Sequence, residues 1–217
     1  KKKSYPLQLS REEYFKSPIW WADEPSFVND LNKSSDSYIE EAKKVMKEKI
    51  DDRNKRHGNK GDMGYVFHST TLIGDPKFKQ LQDYIGATSH NLLVEMGYDL
   101  TNYDVYTTEL WVQEFPKKGA GHHTLHTHWN GHMSGFYFLK ASEATSMPLF
   151  EDPRPGHLMN GLPEADKDKI SYASTQINYK VKPGRMIFFP SYLPHQYVVD
   201  MGYEHFRFIH FICQAIH

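Results

Sequence analysis

The hydrophobic positions change their period near the middle of the chain. Between residues 37 and 50 they fall at Ile39, Ala42, Val45, Met46 and Ile50, which reads as a helix with one apolar face. Ser37 and Glu40 ahead of that face match a capping box. The charged run from Lys43-Lys44 to Lys49 reads as its solvated side. Residues 51–64 are polar and glycine-containing and read as a loop, and residues 65–73 as a strand. Asp75 and Pro76 then supply an N-cap and a first-turn proline. Phe78, Leu81, Ile85, Leu92 and Met96 follow at helical spacing, and Gly97 marks the stop.

From Tyr103 onward the pattern becomes that of strands. Residues 104–115 make one long strand. Phe136-Tyr137-Phe138-Leu139 and Met186-Ile187-Phe188-Phe189 are short apolar runs bounded by turn residues. Ile177, Tyr179 and Val181 alternate within residues 171–181, and residues 196–199 and 205–213 complete the set. Residues 150–170 form a long proline- and charge-rich segment, of a length that is usually functional or disordered. Two helices followed by many short strands predict an α+β chain, its sheets closing into a two-sheet, jelly-roll barrel backed by the helices.

The 217 residues suit one domain, 1–217, with a sizeable core. Within it, residues 1–34, punctuated by Pro6, Pro18 and Pro25, read as an irregular arm packed down by Trp20 and Trp21. Residues 35–100 read as helical support and residues 103–213 as the β core. Aromatics at 14% fit a β-rich core, and a net charge of −1 argues against a nucleic-acid surface. The single cysteine, Cys213, excludes an intrachain disulfide and fits a reducing, cytoplasmic setting. No apolar run is long enough for a membrane span. No leader segment is read, and a start at Lys1 suggests that the true N-terminus lies upstream.

Candidate chemistry concentrates in residues 122–140, HHTLHTHWNGHMSGFYFLK, which hold five of the thirteen histidines. Neutral imidazole is the commonest transition-metal ligand. On a strand, His126 and His128 face the same side and offer two nitrogens to one ion. A third comes from His195, just beyond the apolar run 186–189 and Pro190, unless that residue only finishes a turn. Arg207 lies on an otherwise apolar strand and needs an anion, either a protein carboxylate or a small dicarboxylate held by the guanidinium fork.

These pieces in order resemble the Fe(II)- and 2-oxoglutarate-dependent oxygenases, and among them a group from marine phages and bacteria. The motifs are ELW at 109–111, His-x-His before SGFYFL, DPRPG at 152–156, FPSYLPH at 189–195 and an arginine twelve residues later. The resemblance covers roughly residues 105–213 and implies a double-stranded β-helix. It implies Fe(II) on His126, His128 and His195, with 2-oxoglutarate and O2 completing the centre. Arg207 would take the far carboxylate of 2-oxoglutarate, and Tyr137 would add a hydroxyl hydrogen bond. The implied reaction is hydroxylation of a C–H bond with decarboxylation to succinate. Trp111, Gln113, Trp129 and Asn130 either line the pocket or belong to the core.

One departure stands out. The superfamily's usual site has two histidines and one carboxylate, whereas here the motif is His-x-His. His128 replaces the carboxylate, or Glu109 or Asp152 supplies one, or His123 or His132 takes a ligand's place; the first fits the spacing best. Two other classes remain open: a cupin-like metal dioxygenase that does not use 2-oxoglutarate, and a non-catalytic binding module of the same barrel. The substrate, a peptide or protein side chain or a small molecule, is not legible, and neither is the oligomeric state.

Overall fold

Glu24 and Pro25 start the first helix, well ahead of Ser37. The Glu24 side chain accepts from Ser26 N–H at 3.1 Å, and Pro25 begins a single 3-10 turn, Pro25–Phe27. Helix α1 follows as Val28–His57. Ser37 and Glu40 therefore lie inside the helix, and residues 51–57, expected as loop, are its last turns. Only its first half packs, through Leu31, Ser35, Ile39 and Ala42; Val45 falls off that stripe and is 76% exposed. The computed structural model describes residues 10–217, so Pro6 and the first part of the expected arm lie outside the described residues. Just before α1 the arm is not irregular: Trp20–Asp23 form strand β1, and the Trp20 indole N–H donates to Glu95 at 3.1 Å.

The second helix is built as its sequence predicts. Asp75 accepts from Lys77 N–H at 2.9 Å, a 3-10 turn Pro76–Phe78 follows, and α2 runs Lys79–Glu95. Gly97, at φ +95°, ends it. Gly97 N–H donates to Val94 and Tyr98 N–H to Leu93, the paired bonds of a Schellman close. Between the helices only Phe67–His68 form a strand, β2.

The remaining strands are β3 (Asp104–Glu114), β4 (His123–His126), β5 (Met133–Lys140), β6 (Pro148–Glu151), β7 (Gln176–Asn178), β8 (Arg185–Pro190), β9 (His195–Tyr197) and β10 (Arg207–Ile216). The segment before β7 carries one short helix, α3 (Pro155–Leu158), and the strand expected over 171–181 is reduced to its middle three residues. Six strands make one sheet in the order β1-β8-β5-β10-β3-β2, and four make the other, β4-β9-β6-β7. Every pairing is antiparallel. This is the two-sheet jelly roll expected, with both helices on the outer face of the larger sheet.

Period-two alternation sorts the large sheet's side chains into two cores. Leu110, Val112, Tyr137, Leu139, Met186, Phe188, Ile209 and Phe211 pack with Ile39, Leu81 and Ile85 of the helices. Phe136, Phe138, Ile187, Phe189, Phe206 and Phe208 face the barrel interior with Phe150 and Tyr197 of the small sheet.

That alternation corrects two expectations. Tyr137 lies on the helix side, where its hydroxyl donates to the Glu24 carbonyl at 2.6 Å, so it does not reach the barrel interior. Arg207 is also on the helix side. Its guanidinium bonds Glu114 at 2.7 and 2.8 Å, Asp36 at 2.7 Å, and Asn32 at 3.0 and 3.1 Å. The protein carboxylate, and not a dicarboxylate ligand, is its anion here. Lys43, read as part of a solvated face, completes the cluster at 2.8 Å from Glu114. Burial alone would raise the Glu114 carboxyl; the Lys43 hydrogen bond and the charges of Arg207 and Lys43 hold it below its ordinary value.

This cluster ties α1 to the sheet, and Glu114 is only 2% exposed. Removing Arg207 leaves a buried carboxylate with one cation. Arg207→Ala should destabilise the fold by about 3 kcal/mol, read as a lowered urea midpoint at unchanged slope. A loss below about 1 kcal/mol, the level of an exposed pair, would show that the cluster is too hydrated to matter.

Candidate metal centre

Three imidazoles converge at one end of the barrel. His126 ends β4 directly opposite His195 on β9, and the two rings stand 4.4 Å apart. The chain leaves the strand after His126. His128 is set instead by its backbone, whose N–H donates to the Ser191 carbonyl at 2.9 Å. Its ring lies 5.0 Å from each of the other two. The expected pairing of His126 with His128 thus arises from a loop anchored on the β8–β9 turn, not from a continued strand. One nitrogen from each ring lies within 4.8 Å of the others.

Backbone carbonyls select the tautomers. His126 Nδ1 contacts the Thr124 carbonyl at 2.7 Å, and His195 Nδ1 the Leu193 carbonyl at 2.9 Å. A carbonyl only accepts, so the proton sits on Nδ1 and the lone pair on Nε2. His195 Nε2 is buried without a partner. Burial holds His195 down to about 3 and His128 to about 4, so both rings are neutral near pH 7. Neutral Nε2 donors with their Nδ1–H groups tied back are what a transition metal needs. The set fits an imidazole-binding ion such as Fe(II).

The alternative ligands stay apart. Among the described residues these three histidines are the one group of His, Cys, Asp or Glu with metal-holding spacing. Glu109 accepts from the Asn130 side chain at 2.7 Å. Asp152 is engaged by Arg154 at 2.6 Å and His157 at 2.5 Å. His132 Nδ1 accepts from Ala215 N–H at 2.9 Å, and His123 Nε2 is paired with Gln113 at 3.0 Å.

A cavity of about 230 Å³ opens beside the triad, lined further by His68, Trp111, Gln113, His123, Phe136, Tyr197 and His210. Of the four expected pocket residues, Trp111 and Gln113 line it. Trp129, 94% exposed, lines a separate groove of about 590 Å³ with Tyr98, Tyr103, Tyr192 and His128. Asn130 lines neither; besides Glu109 it bonds Gln214 through its carbonyl. His128 borders both spaces.

The sequence reading missed His210. It is fully buried, its Nε2 lies 3.2 Å from His128 Nε2, and its ring stacks on Trp111 at 4.7 Å and 26°. A signal existed: His210 sits between Phe208 and Ile212 on an apolar strand, as anomalous there as Arg207. The strand's alternation turns His210 inward and Arg207 outward. His68 and Tyr197 carry no such local signal; cross-strand and cross-sheet packing brings them in.

Residues 109–207 match the family described as "Putative 2OG-Fe(II) oxygenase". No curated protein sequence matches the chain. Among solved structures, the apo form of EctD from S. alaskensis aligns with a TM-score of 0.58 at 11% identity, over 91% of this chain and 73% of that one. SnoN, a non-heme alpha ketoglutarate dependent epimerase from nogalamycin biosynthesis, aligns at 0.53 and 12% identity, over 89% and 76%. AviO1 from Streptomyces viridochromogenes Tue57 aligns at 0.52 and 13% identity, over 91% and 90%. At such identities the likeness carries the fold alone, and it agrees with the jelly roll described above.

Buried His195 and half-buried His123 and His128 also set a pH dependence. Burial lowers His123 and His128 to about 4 and His195 to about 3, from an ordinary 6.5. The unfolded chain therefore binds more protons at these sites once pH drops below 6.5. Their contribution to stability is complete above pH 6.5 and is lost as pH falls through 4 and 3. The urea midpoint of the metal-free protein should fall steadily from pH 7 to pH 4. A midpoint constant over that range would show that the rings are hydrated.

Proposed function

We propose that this chain, whose residues 109–207 match the family described as "Putative 2OG-Fe(II) oxygenase", is an oxygenase of that family that holds Fe(II) on His126, His128 and His195. In the reaction we assign, a substrate C–H bond becomes C–OH, while 2-oxoglutarate and O2 are converted to succinate and CO2 with the second oxygen atom. The observation that carries this reading is the convergence of three imidazoles within 4.8 Å, inside a fold and a sequence match of that family. Bound iron, with 2-oxoglutarate and O2, supplies the oxidising chemistry.

The chain's own contribution is positional. The Thr124 and Leu193 carbonyls orient two of the ligand rings. Phe136, Phe150 and Phe189 surround His195, with ring centroids 5.7, 6.0 and 4.7 Å away. They keep the interior side of the centre dry. The groove that borders His128 supports a substrate side at the mouth: Tyr98, Tyr103, Trp129 and Tyr192 offer aromatic faces and hydroxyls to a peptide side chain or small molecule.

A second reading, a cupin-like metal dioxygenase that does not use 2-oxoglutarate, has one observation in its favour: Arg207 is committed to Glu114 and Asp36. Anaerobic titration of the purified protein with Fe(II), then 2-oxoglutarate, separates the two. The oxygenase reading expects a visible absorption band on adding 2-oxoglutarate, lost on admitting oxygen, with succinate formed. Iron binding without 2-oxoglutarate binding would favour the second reading. His195→Ala should weaken Fe(II) binding at least a hundredfold, and unchanged iron content in that variant would remove His195 from the ligand set.

A further inference from the structure

Among the described residues no aspartate, glutamate, lysine or arginine lines the cavity beside the triad. What it holds is neutral polar groups left without partners. Buried side-chain atoms lacking any hydrogen bond are six in the described chain: Trp111 Nε1, His195 Nε2, Tyr197 Oη, His210 Nδ1, Arg53 Nε and Ser89 Oγ. The first four belong to residues of this one cavity. Buried polar atoms are normally satisfied, and a cluster of exceptions calls for a ligand. A metal accounts for His195 Nε2. It does not account for Trp111, whose indole N–H can only donate, nor for the Tyr197 hydroxyl.

The register puts these groups at a useful distance. On the small sheet, His126 faces His195 and, further along, His123 faces Tyr197. From His195 to Tyr197 is two residues of strand, roughly 7 Å, the span of an extended five-carbon dicarboxylate. Across the interior, His123 Nε2–H donates to Gln113 Oε1 at 3.0 Å, which leaves the Gln113 amide N–H groups to give. The Trp111 indole is sandwiched between the rings of His68, at 4.8 Å, and His210, at 4.7 Å. The Tyr197 ring is fixed against Phe208 at 4.6 Å.

We propose that Tyr197, Trp111 and Gln113 receive the far carboxylate of the 2-oxo acid co-substrate, so that this chain anchors it with neutral donors and not with Arg207. This rests on the oxygenase reading above. It has a consequence for selectivity. An arginine anchor discriminates strongly against a co-substrate with an uncharged end, because the buried cation is left unpaired. A set of neutral donors accepts a terminal carboxamide oxygen nearly as well.

The test is anaerobic calorimetric titration of the Fe(II)-loaded protein with 2-oxoglutarate and with its terminal N,N-dimethylamide, whose nitrogen carries no hydrogen and so cannot close a lactam onto the 2-oxo carbon. The two should bind wild type within about tenfold of each other. Tyr197→Phe and Trp111→Phe, which keep ring packing, should each weaken 2-oxoglutarate at least fivefold with Fe(II) affinity unchanged, and Arg207→Lys should leave it within twofold. Measuring both aromatic variants keeps the result readable if one of them fails to fold. A preference for 2-oxoglutarate above a hundredfold, or unchanged affinity in the aromatic variants with a loss in Arg207→Lys, overturns this assignment and leaves the oxygenase reading standing. Failure of wild type to bind either 2-oxo acid overturns both.

Discussion

The alternation of the central strand β10 is the constraint on which the site and its support both depend. It lies between β3 and β5 in the large sheet and is apolar along nearly its whole length. Its two faces meet different surroundings, the helices on one side and the barrel interior on the other. Ile209, Phe211 and Cys213 go to the helices; Phe208 and His210 go inward. Two polar residues are embedded in this run, and the parity of their positions decides everything about them. Arg207 turns out to a ring of acidic and amide groups on α1 and β3. His210 turns in to the imidazoles.

The interior solves a desolvation problem in an unusual way. His195 and His210 are buried there and His123 and His128 are half-buried, and a charged imidazole in an aromatic surrounding is costly. Burial keeps them neutral, with His210 pushed well below its ordinary value. A neutral imidazole still carries one donor and one acceptor. His126 and His195 spend the donor on a backbone carbonyl, which leaves the acceptor pointing at a common centre. At His195 the same burial that disfavours charge leaves a lone pair free for a metal, and no carboxylate is needed to orient the two rings. A divalent ion held by three imidazoles alone would keep its charge uncompensated, which would weaken its hold relative to a site with one carboxylate and raise its attraction for an anion.

Much of this was legible in the chain. The change of hydrophobic period located two helices and a β-rich half, and Asp75-Pro76 and Gly97 bounded α2 correctly because caps act through neighbouring residues. His126, His128 and His195 were singled out by residue type, spacing and family resemblance. Local signals misled where a stronger neighbour existed: Ser37 and Glu40 have the form of a capping box, yet Glu24 and Pro25 begin the helix earlier and continuous hydrogen bonding carries it through.

The order of residues along the chain establishes which of them are chemically anomalous: histidines in a cluster, and an arginine and a histidine on an apolar strand. Which of them meet was decided by the tertiary structure alone. His128 is placed by a backbone bond to Ser191, Tyr137 is turned toward Glu24, and Arg207 is captured by Glu114 and Asp36. Each of these contacts joins residues far apart in the chain. Composition and spacing specify the demand of a buried polar group for a partner. Only the packing of two sheets and a helix supplies the partner, because the direction in which a strand residue points depends on register with strands that lie elsewhere in the sequence.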